Sequence, residues 1–210
     1  EVAGGSDLGL ILRSSCAGAD AEDIAEDIAN MLSLADTVAN DDAQQMEVLS
    51  EGDGPHLLAW RDWTAPAEVV TEAGGFDDHG VLEELDRVAS AQVPLGGGAS
   101  IFVEPTRALV AVDVNTGNDA SLAAGVKANM ACAKALPRAL RLRGLGGQIT
   151  LDLAPMPKKD RRTFKNALRA AFRADDVDTT LVGWTPLGHY ELQRKRARPV
   201  LAEVLTGAAR

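Results

Sequence analysis

Apolar residues follow two different periods along this chain. They recur every three or four positions over residues 19–38 and 119–147, which predicts two amphipathic helices. Asp20 is placed to cap the first helix, and Pro137 predicts a kink in the second. Short runs of Ile, Val, Leu and Phe between turn residues predict strands instead. Further helices are predicted over residues 77–91 and 158–176, and strands over residues 9–15, 56–63, 148–156 and 179–188.

The second half of the chain alternates strands with helices, which favours a layered α/β fold. Residues 93–117 predict a turn, a strand, a second turn and a second strand, and residues 190–205 predict a basic tail that is helical at one end. Binding sites in open α/β sheets lie at the carboxyl ends of strands. We expect Asp113 and Asp152 at two such ends, because each closes an apolar run.

Composition indicates a globular protein of one or two domains. The 210 residues are 46% hydrophobic and 25% charged. The longest apolar stretches are far too short to span a bilayer, and we see no secretory leader at the start of the sequence. Two cysteines far apart in sequence suit a reducing compartment, so we expect a cytoplasmic protein. Cys16 and Cys132 lack the spacing of a zinc site and are expected to be small buried hydrophobes. The three histidines form no HxH or HxxxH pair, so a histidine-based metal site is not expected.

Charge is distributed unevenly along the chain. Residues 1–54 hold 13 acidic residues and one basic residue, whereas residues 137–210 hold 7 acidic and 15 basic residues, in a chain of net charge −10. An acidic protein with a basic third is a reasonable nucleic-acid binder, because local potential attracts phosphates. The alternative is that these basic residues form only the solvated faces of helices.

Two aspartates at neighbouring strand ends would form a compact pair of hard oxygen ligands. Mg²⁺ binds one or two carboxylates, retains several waters and accepts substrate phosphate oxygens. Such an ion can present water to a phosphodiester. Asn115 points to the same side as Asp113, so it could orient that carboxylate or bind the phosphate. The alternative is that both aspartates are helix caps or turn formers.

Four segments carry specific sequence motifs. ALVAVDVNTG and, further on, ANMACAKALPRALRLRGLGGQITLDLAPM are similar to the patterns EALxxIDVNSG and NLEAAxEIARQLRLRxLGGxIxIDFIDM. LGLILRSS is similar to GLIVRT, and LGHYELQRKR is similar to GLxExTRKR. These are patterns of the ribonuclease E/G family, which the chain resembles. The resemblance covers about residues 8–198 and is weakest over residues 37–93.

This resemblance implies a Mg²⁺-dependent endoribonuclease that cuts single-stranded RNA and leaves 5′-phosphate products. Mn²⁺ is the alternative ion, and no zinc is expected. Asp113 and Asp152 match the metal ligands, Asn115 matches the asparagine near the scissile phosphate, and Arg13 with Ser14 matches the pocket that senses a 5′ end. The candidate RNA-binding residues are Arg13, Ser14, Arg138, Arg141, Arg143, Lys158, Lys159, Arg194, Lys195 and Arg196.

The implied fold is a mixed α/β (α+β) nuclease core, RNase H-like and DNase I-like, with a mixed sheet flanked by helices. A 5′-sensor-like subdomain is expected over residues 1–54, a shortened RNase H-like segment over residues 55–93 and a DNase I-like catalytic subdomain over residues 94–210. The 210 residues do not match the family's S1-type barrel or its zinc link. A homo-oligomer therefore stays open as a hypothesis, but not one joined through zinc. Pro155 stands where the family has a second acid, and Asp178 where some members have a basic residue.

These departures keep a second hypothesis open, in which the chain is a weakly active or non-catalytic RNA-binding module of the same family. A third hypothesis is an acidic interaction domain whose residues 1–54 meet a basic protein. Endoribonuclease activity is the leading prediction, because all three residues of the expected metal site are present.

Overall fold

The computed structural model describes residues 9–12, 14–42, 46, 48–62 and 65–207, without the side chains of residues 14, 15, 61 and 62. The chain separates into two compact units, Glu1–Val69 and Val70–Arg210. The three subdomains expected from the sequence remain a prediction. No helix in the described part of the chain is long and apolar enough to cross a membrane.

The first unit contains helices among its described residues. A short 3-10 helix spans Ser14–Gly18, and helices α1 and α2 span Ala21–Ala39 and Pro55–Asp62. The predicted cap of α1 is confirmed, since the Asp20 carboxylate accepts a hydrogen bond from the Glu22 amide at 3.1 Å.

Two strand predictions for the first unit are wrong. Residues 9–12 have no regular structure, and residues 55–62 form α2 instead of a strand. An isolated strand leaves its backbone groups unpaired, whereas a helix pairs them within one segment. Pro55 also suits the first position of a helix, because its missing amide hydrogen would have no helical partner there.

The second unit is built on one six-stranded mixed sheet. The strand order is β1-β2-β3-β4-β6-β5, and all neighbours are antiparallel except β3 and β4, which are parallel. Helix α5 connects the parallel pair, as a crossover connection requires. The elements are α3 Gly75–Asp78, α4 Val81–Ala89, β1 Gln92–Gly96, β2 Ala99–Pro105, β3 Val110–Asn115, α5 Leu122–Leu142, β4 Gly147–Asp152, α6 Arg161–Arg173, β5 Thr179–Trp184, β6 Tyr190–Arg194 and α7 Leu201–Leu205.

This architecture confirms the predicted mixed sheet flanked by helices. The helices expected over residues 77–91, 119–147 and 158–176 correspond to α4, α5 and α6. Two strands were not predicted. β1 occupies residues assigned to a turn, and its Pro94 is tolerated because β1 lies at the sheet edge. β6 lies in the predicted basic tail, where its inward residues alternate with outward ones.

Helices α5 and α6 cover one face of the sheet. Inward residues of neighbouring strands, such as Val112, Leu151 and Tyr190, are register partners and are buried in one core. Phe164 of α6 packs against Tyr190, with ring centroids 5.8 Å apart. Alternate residues of β3 and β4 point to the opposite face, where Ala111 and Thr150 are half-buried and Asp113, Asn115 and Asp152 are exposed. The sequence alternation therefore produces one packed face and one open face.

Helix α5 holds the segment that follows β4. The side chain of buried Asn129 donates to the Ala154 carbonyl at 2.8 Å and accepts from the Ala154 amide at 3.0 Å. One turn away, Gly125 lies so close to the Pro155 carbonyl that a Cβ there would be 2.2 Å from its oxygen. The chain leaving Asp152 is thereby fixed to the helix within three residues. Pro137 lies inside α5, as predicted, and its kink remains a prediction.

We expect Asn129→Ala to lower the free energy of unfolding by about 3 kcal/mol, because two buried backbone groups of Ala154 lose their partners. Urea denaturation measures the change. Asn166→Ala is the matched control, since Asn166 is exposed on α6. Equal effects of the two substitutions would contradict the role assigned to Asn129.

Candidate active site

Asp113 and Asp152 stand side by side on the open face of the sheet. β3 and β4 are parallel, and these two residues are register partners in the pairing. Adjacent strands lie about 4.8 Å apart, so the two side chains leave the sheet as neighbours. Both aspartates are exposed, while the preceding Val112 and Leu151 are buried on the other face. The pair expected from the sequence is therefore brought together by the parallel register.

Each carboxylate has one oxygen in contact with a neighbouring side chain. The Asn115 side-chain amide donates to Asp113 Oδ2 at 2.7 Å. His189 Nδ1 lies 3.3 Å from Asp152 Oδ1. The other oxygen of each carboxylate has no hydrogen bond or ion pair with a described residue. Two carboxylate oxygens thus remain available to a ligand, and Asn115 orients Asp113 as the sequence suggested.

Neither aspartate is a helix cap in this structure. The cap of α5 is Ser121, whose hydroxyl accepts from the Ala124 amide at 3.2 Å. Asp160 occupies the position before α6. The alternative of a capping role for Asp113 and Asp152 is therefore set aside.

The donor set fits a largely hydrated divalent cation better than a closed protein cage. No group of three or more His, Cys, Asp or Glu side chains among the described residues is arranged to hold a metal ion. Mg²⁺ commonly binds one or two carboxylates and completes its shell with water and substrate oxygens. The Asp113–Asp152 pair meets that requirement.

Cys132 lies in the core, where burial raises the pKa of its thiol to about 12.

The basic residues expected to bind RNA fall into two structural classes. Arg143 is buried, and its guanidinium donates to the carbonyls of Ala139 and Ser90 at 3.1 and 2.8 Å. Desolvation, followed by the nearby Arg87 charge, lowers the pKa of Arg143. Arg194 is also buried. These two residues hold protein elements together and are removed from the RNA-binding set. The exposed members are Arg138, Arg141, Lys158, Lys159, Lys195 and Arg196.

Arg194 belongs to a buried ion pair. Its guanidinium lies 2.7 Å from Asp175 Oδ2 and donates to Thr179 Oγ1 at 2.9 Å. The side chains of Arg194 and Asp175 are each 1% exposed. Arg141 also pairs with Asp175, which leaves this exposed arginine partly engaged. Asp175, in the turn after α6, therefore neutralises the positive charge of Arg194, which points inward from β6.

Four of these exposed residues, Lys158, Lys159, Lys195 and Arg196, lie at two ends of the sheet. Lys158 and Lys159 follow Asp152 by a few residues and precede α6. Arg161, two residues after Lys159, stacks 4.4 Å from the Trp184 ring, at the end of β5 near the His189 turn. Lys195 and Arg196 instead follow the Arg194–Gly147 pair at the start of β4. The two ends are about 17 Å apart along the strand.

Four further positions singled out in the sequence have different outcomes. Arg13 and the side chain of Ser14 lie outside the described residues, so recognition of a 5′ end remains a prediction. Pro155 is exposed and directs its carbonyl towards Gly125 of α5. Asp178 is exposed, and its carbonyl accepts from the Lys195 amide at 3.0 Å.

Comparison with protein-family models gives a match to the Ribonuclease E/G family over residues 64–197. The chain belongs to the ribonuclease E/G family. The matched region contains β1 to β6, both aspartates and His189.

Curated relatives agree with this assignment. Ribonuclease G from Salmonella typhimurium (strain SL1344) is 36% identical over 135 residues, which cover 62% of this chain and 28% of that protein. A chloroplastic ribonuclease E/G-like protein from Arabidopsis thaliana is 33% identical over 133 residues, covering 59% and 13%. Ribonuclease E from Escherichia coli (strain K12) is 32% identical over 134 residues, covering 61% and 12%. The chain spans between about an eighth and a quarter of the length of these relatives.

His189 is the site neighbour that sequence reasoning missed. The family segment GLxExTRKR has leucine where this member has His189. The replacement of that leucine was the one sequence feature that could have identified His189. A lone histidine far from both aspartates in sequence does not show the spacing of a metal site, however. Only the pairing of β4 with β6 brings it to Asp152.

We expect Asp175→Ala to lower the free energy of unfolding by about 3–5 kcal/mol, because the buried Arg194 charge would lose its partner. Urea denaturation followed by circular dichroism measures the change. Asp176→Ala removes a neighbouring exposed carboxylate and should change stability by less than about 0.5 kcal/mol. A loss no larger than that of the control would refute a stabilising ion pair.

Proposed function

We propose that this chain is a divalent-metal-dependent endoribonuclease that cuts single-stranded RNA and leaves a 5′-phosphate on the downstream product. The observation that carries the proposal is the Asp113–Asp152 register pair on the open sheet face, in a member of the ribonuclease E/G family. Family membership supports RNA as the substrate. The open carboxylate pair supports metal-assisted hydrolysis, because it leaves space for water and a phosphate.

Asp113 and Asp152 are the residues that would hold the cation. Mg²⁺, or Mn²⁺ in its place, would supply an activated water and stabilise charge on the phosphodiester oxygens. Asn115 fixes one Asp113 oxygen at 2.7 Å and keeps the carboxylate in one orientation. Its exposed position two residues along the strand also puts it on the face that a phosphate would approach.

The exposed basic residues would bind the RNA backbone without selecting sequence. Lys158 and Lys159 lie between β4 and α6, at the Asp152 end of the sheet. Positive charge beside the aspartates would offset their repulsion of a phosphate. The proposal therefore places the substrate backbone near this end of the sheet.

We expect Asp113→Asn and Asp152→Asn each to reduce cleavage of a 5′-monophosphorylated single-stranded RNA by at least about 100-fold, since charge stabilisation by a bound cation contributes several kcal/mol. Product gels with Mg²⁺ or with EDTA measure the rate, and end analysis identifies the 5′-phosphate.

Glu104→Gln is the matched control for this experiment, because Glu104 is an exposed carboxylate on β2. It should retain activity. Unchanged cleavage in the Asp113 and Asp152 variants would rule out the mechanism. RNA binding without Mg²⁺-dependent cleavage in the unmodified protein would favour the second hypothesis, a non-catalytic RNA-binding module.

We expect Lys158→Ala combined with Lys159→Ala to weaken RNA binding, and to reduce the salt-dependence slope by about 1.4 if each lysine contacts one phosphate of a single strand. Fluorescence anisotropy with a short RNA at several salt concentrations measures both quantities. The comparison is Lys195→Ala with Arg196→Ala, which removes the same charge at the other end of the sheet. A Lys158 and Lys159 double variant that binds RNA with unchanged affinity and salt slope would contradict this contact, and the second double variant measures the contribution of the other end.

A further inference from the structure

His189 extends the row of side chains that contains the aspartate pair. Leu151 of β4 pairs with Tyr190 of β6, so the next antiparallel position sets Asp152 opposite His189. The contact confirms this continuation, because His189 Nδ1 lies 3.3 Å from Asp152 Oδ1. Asp113 of β3, Asp152 of β4 and His189, the residue that precedes β6, thus lie side by side at one level of the sheet.

The turn between β5 and β6 fixes the backbone of His189. The His189 carbonyl accepts from the Thr185 amide at 2.8 Å, and the His189 amide donates to Thr185 Oγ1 at 3.1 Å. Gly188 has φ of +99°, a conformation that favours glycine. Trp184 and Tyr190 pack edge to face across the hairpin at 5.1 Å. The imidazole is therefore held beside Asp152 by a well-defined turn.

His189 and Asn115 contact the two carboxylates in matching ways. Asn115 engages Oδ2 of Asp113, and His189 engages Oδ1 of Asp152. In each case the second oxygen has no partner among the described residues. Side chains that contact metal-binding carboxylates orient them and raise metal affinity. The leucine of the family segment could not make this polar contact.

We propose that His189 is a positioning residue of the cation site, which holds the Asp152 carboxylate so that its second oxygen binds the ion. This inference rests on the proposed function, since it assumes a cation at Asp113 and Asp152. His189 acts through Asp152 and is not a third ligand, in agreement with the lack of a three-residue metal group among the described residues.

The test is Mn²⁺ binding to the full chain, measured by isothermal titration calorimetry and by electron paramagnetic resonance of the free ion. Mn²⁺ is the probe because it binds the same oxygen donors as Mg²⁺. We expect His189→Leu to weaken Mn²⁺ binding on the order of 10-fold. His189→Asn should recover most of the affinity, because its amide nitrogen replaces Nδ1. His79→Leu, at an exposed histidine in the α3–α4 turn, should have no effect.

Asp113→Asn and Asp152→Asn separate the two proposals in the same titration. If the unmodified protein shows no Mn²⁺ binding that depends on both aspartates, the proposed function and this inference both fail. If that binding is present and His189→Leu binds equally well, only the inference fails. Equal weakening by His189→Leu and His189→Asn would also overturn it, because a polar contact with Asp152 would then not be the cause. Thermal unfolding of each variant shows whether a loss of Mn²⁺ affinity is due to misfolding. The affinities of His189→Leu and His189→Asn are compared only if the two variants are equally stable.

Discussion

The parallel pairing of β3 with β4 is the constraint on which the candidate site depends. It makes Asp113 and Asp152 register partners while Val112 and Leu151 enter the core. A shift of one residue in either strand would turn its aspartate inward and its valine or leucine outward. Burying an unpaired carboxylate and exposing an apolar side chain are both unfavourable. The packing of the hydrophobic face therefore determines the position of the acids on the opposite face.

Polar contacts inside the second unit fix the elements around that pair. Asn129 hydrogen-bonds the segment after β4 to α5, and Gly125 allows its close approach, so the crossover helix also holds the chain that leaves Asp152. Asp175 pairs with Arg194 and connects the end of α6 to β6, the strand that follows the turn containing His189. Basic residues of the same segment thus serve different purposes. Arg194 stabilises the sheet, whereas Lys195 and Arg196 are exposed to solvent.

An open pair of carboxylates has a chemical consequence for the proposed nuclease. A site that supplies two protein ligands leaves most of a cation's shell to water and substrate. Metal and RNA would then favour each other's binding, because the phosphate completes the shell that the protein leaves open. The contacts of Asn115 and His189 with single oxygens suit this arrangement, since they restrict the carboxylates without closing the site.

The sequence by itself determined the helices α1, α5 and α6 and most of the central strands, and it identified Asp113, Asn115 and Asp152 as candidate site residues. Periodicity and short motifs depend only on residues close together in sequence, so they can be recognised without knowledge of the fold. Tertiary structure decided β1 and β6, because strand formation depends on a neighbour that supplies hydrogen bonds. Residues 55–62 were predicted as a strand but form α2, which pairs its backbone groups within one segment. Tertiary structure also decided that Arg143 and Arg194 are buried and that His189 lies beside Asp152. Those outcomes depend on which distant segments pair, and residue type alone does not carry that information.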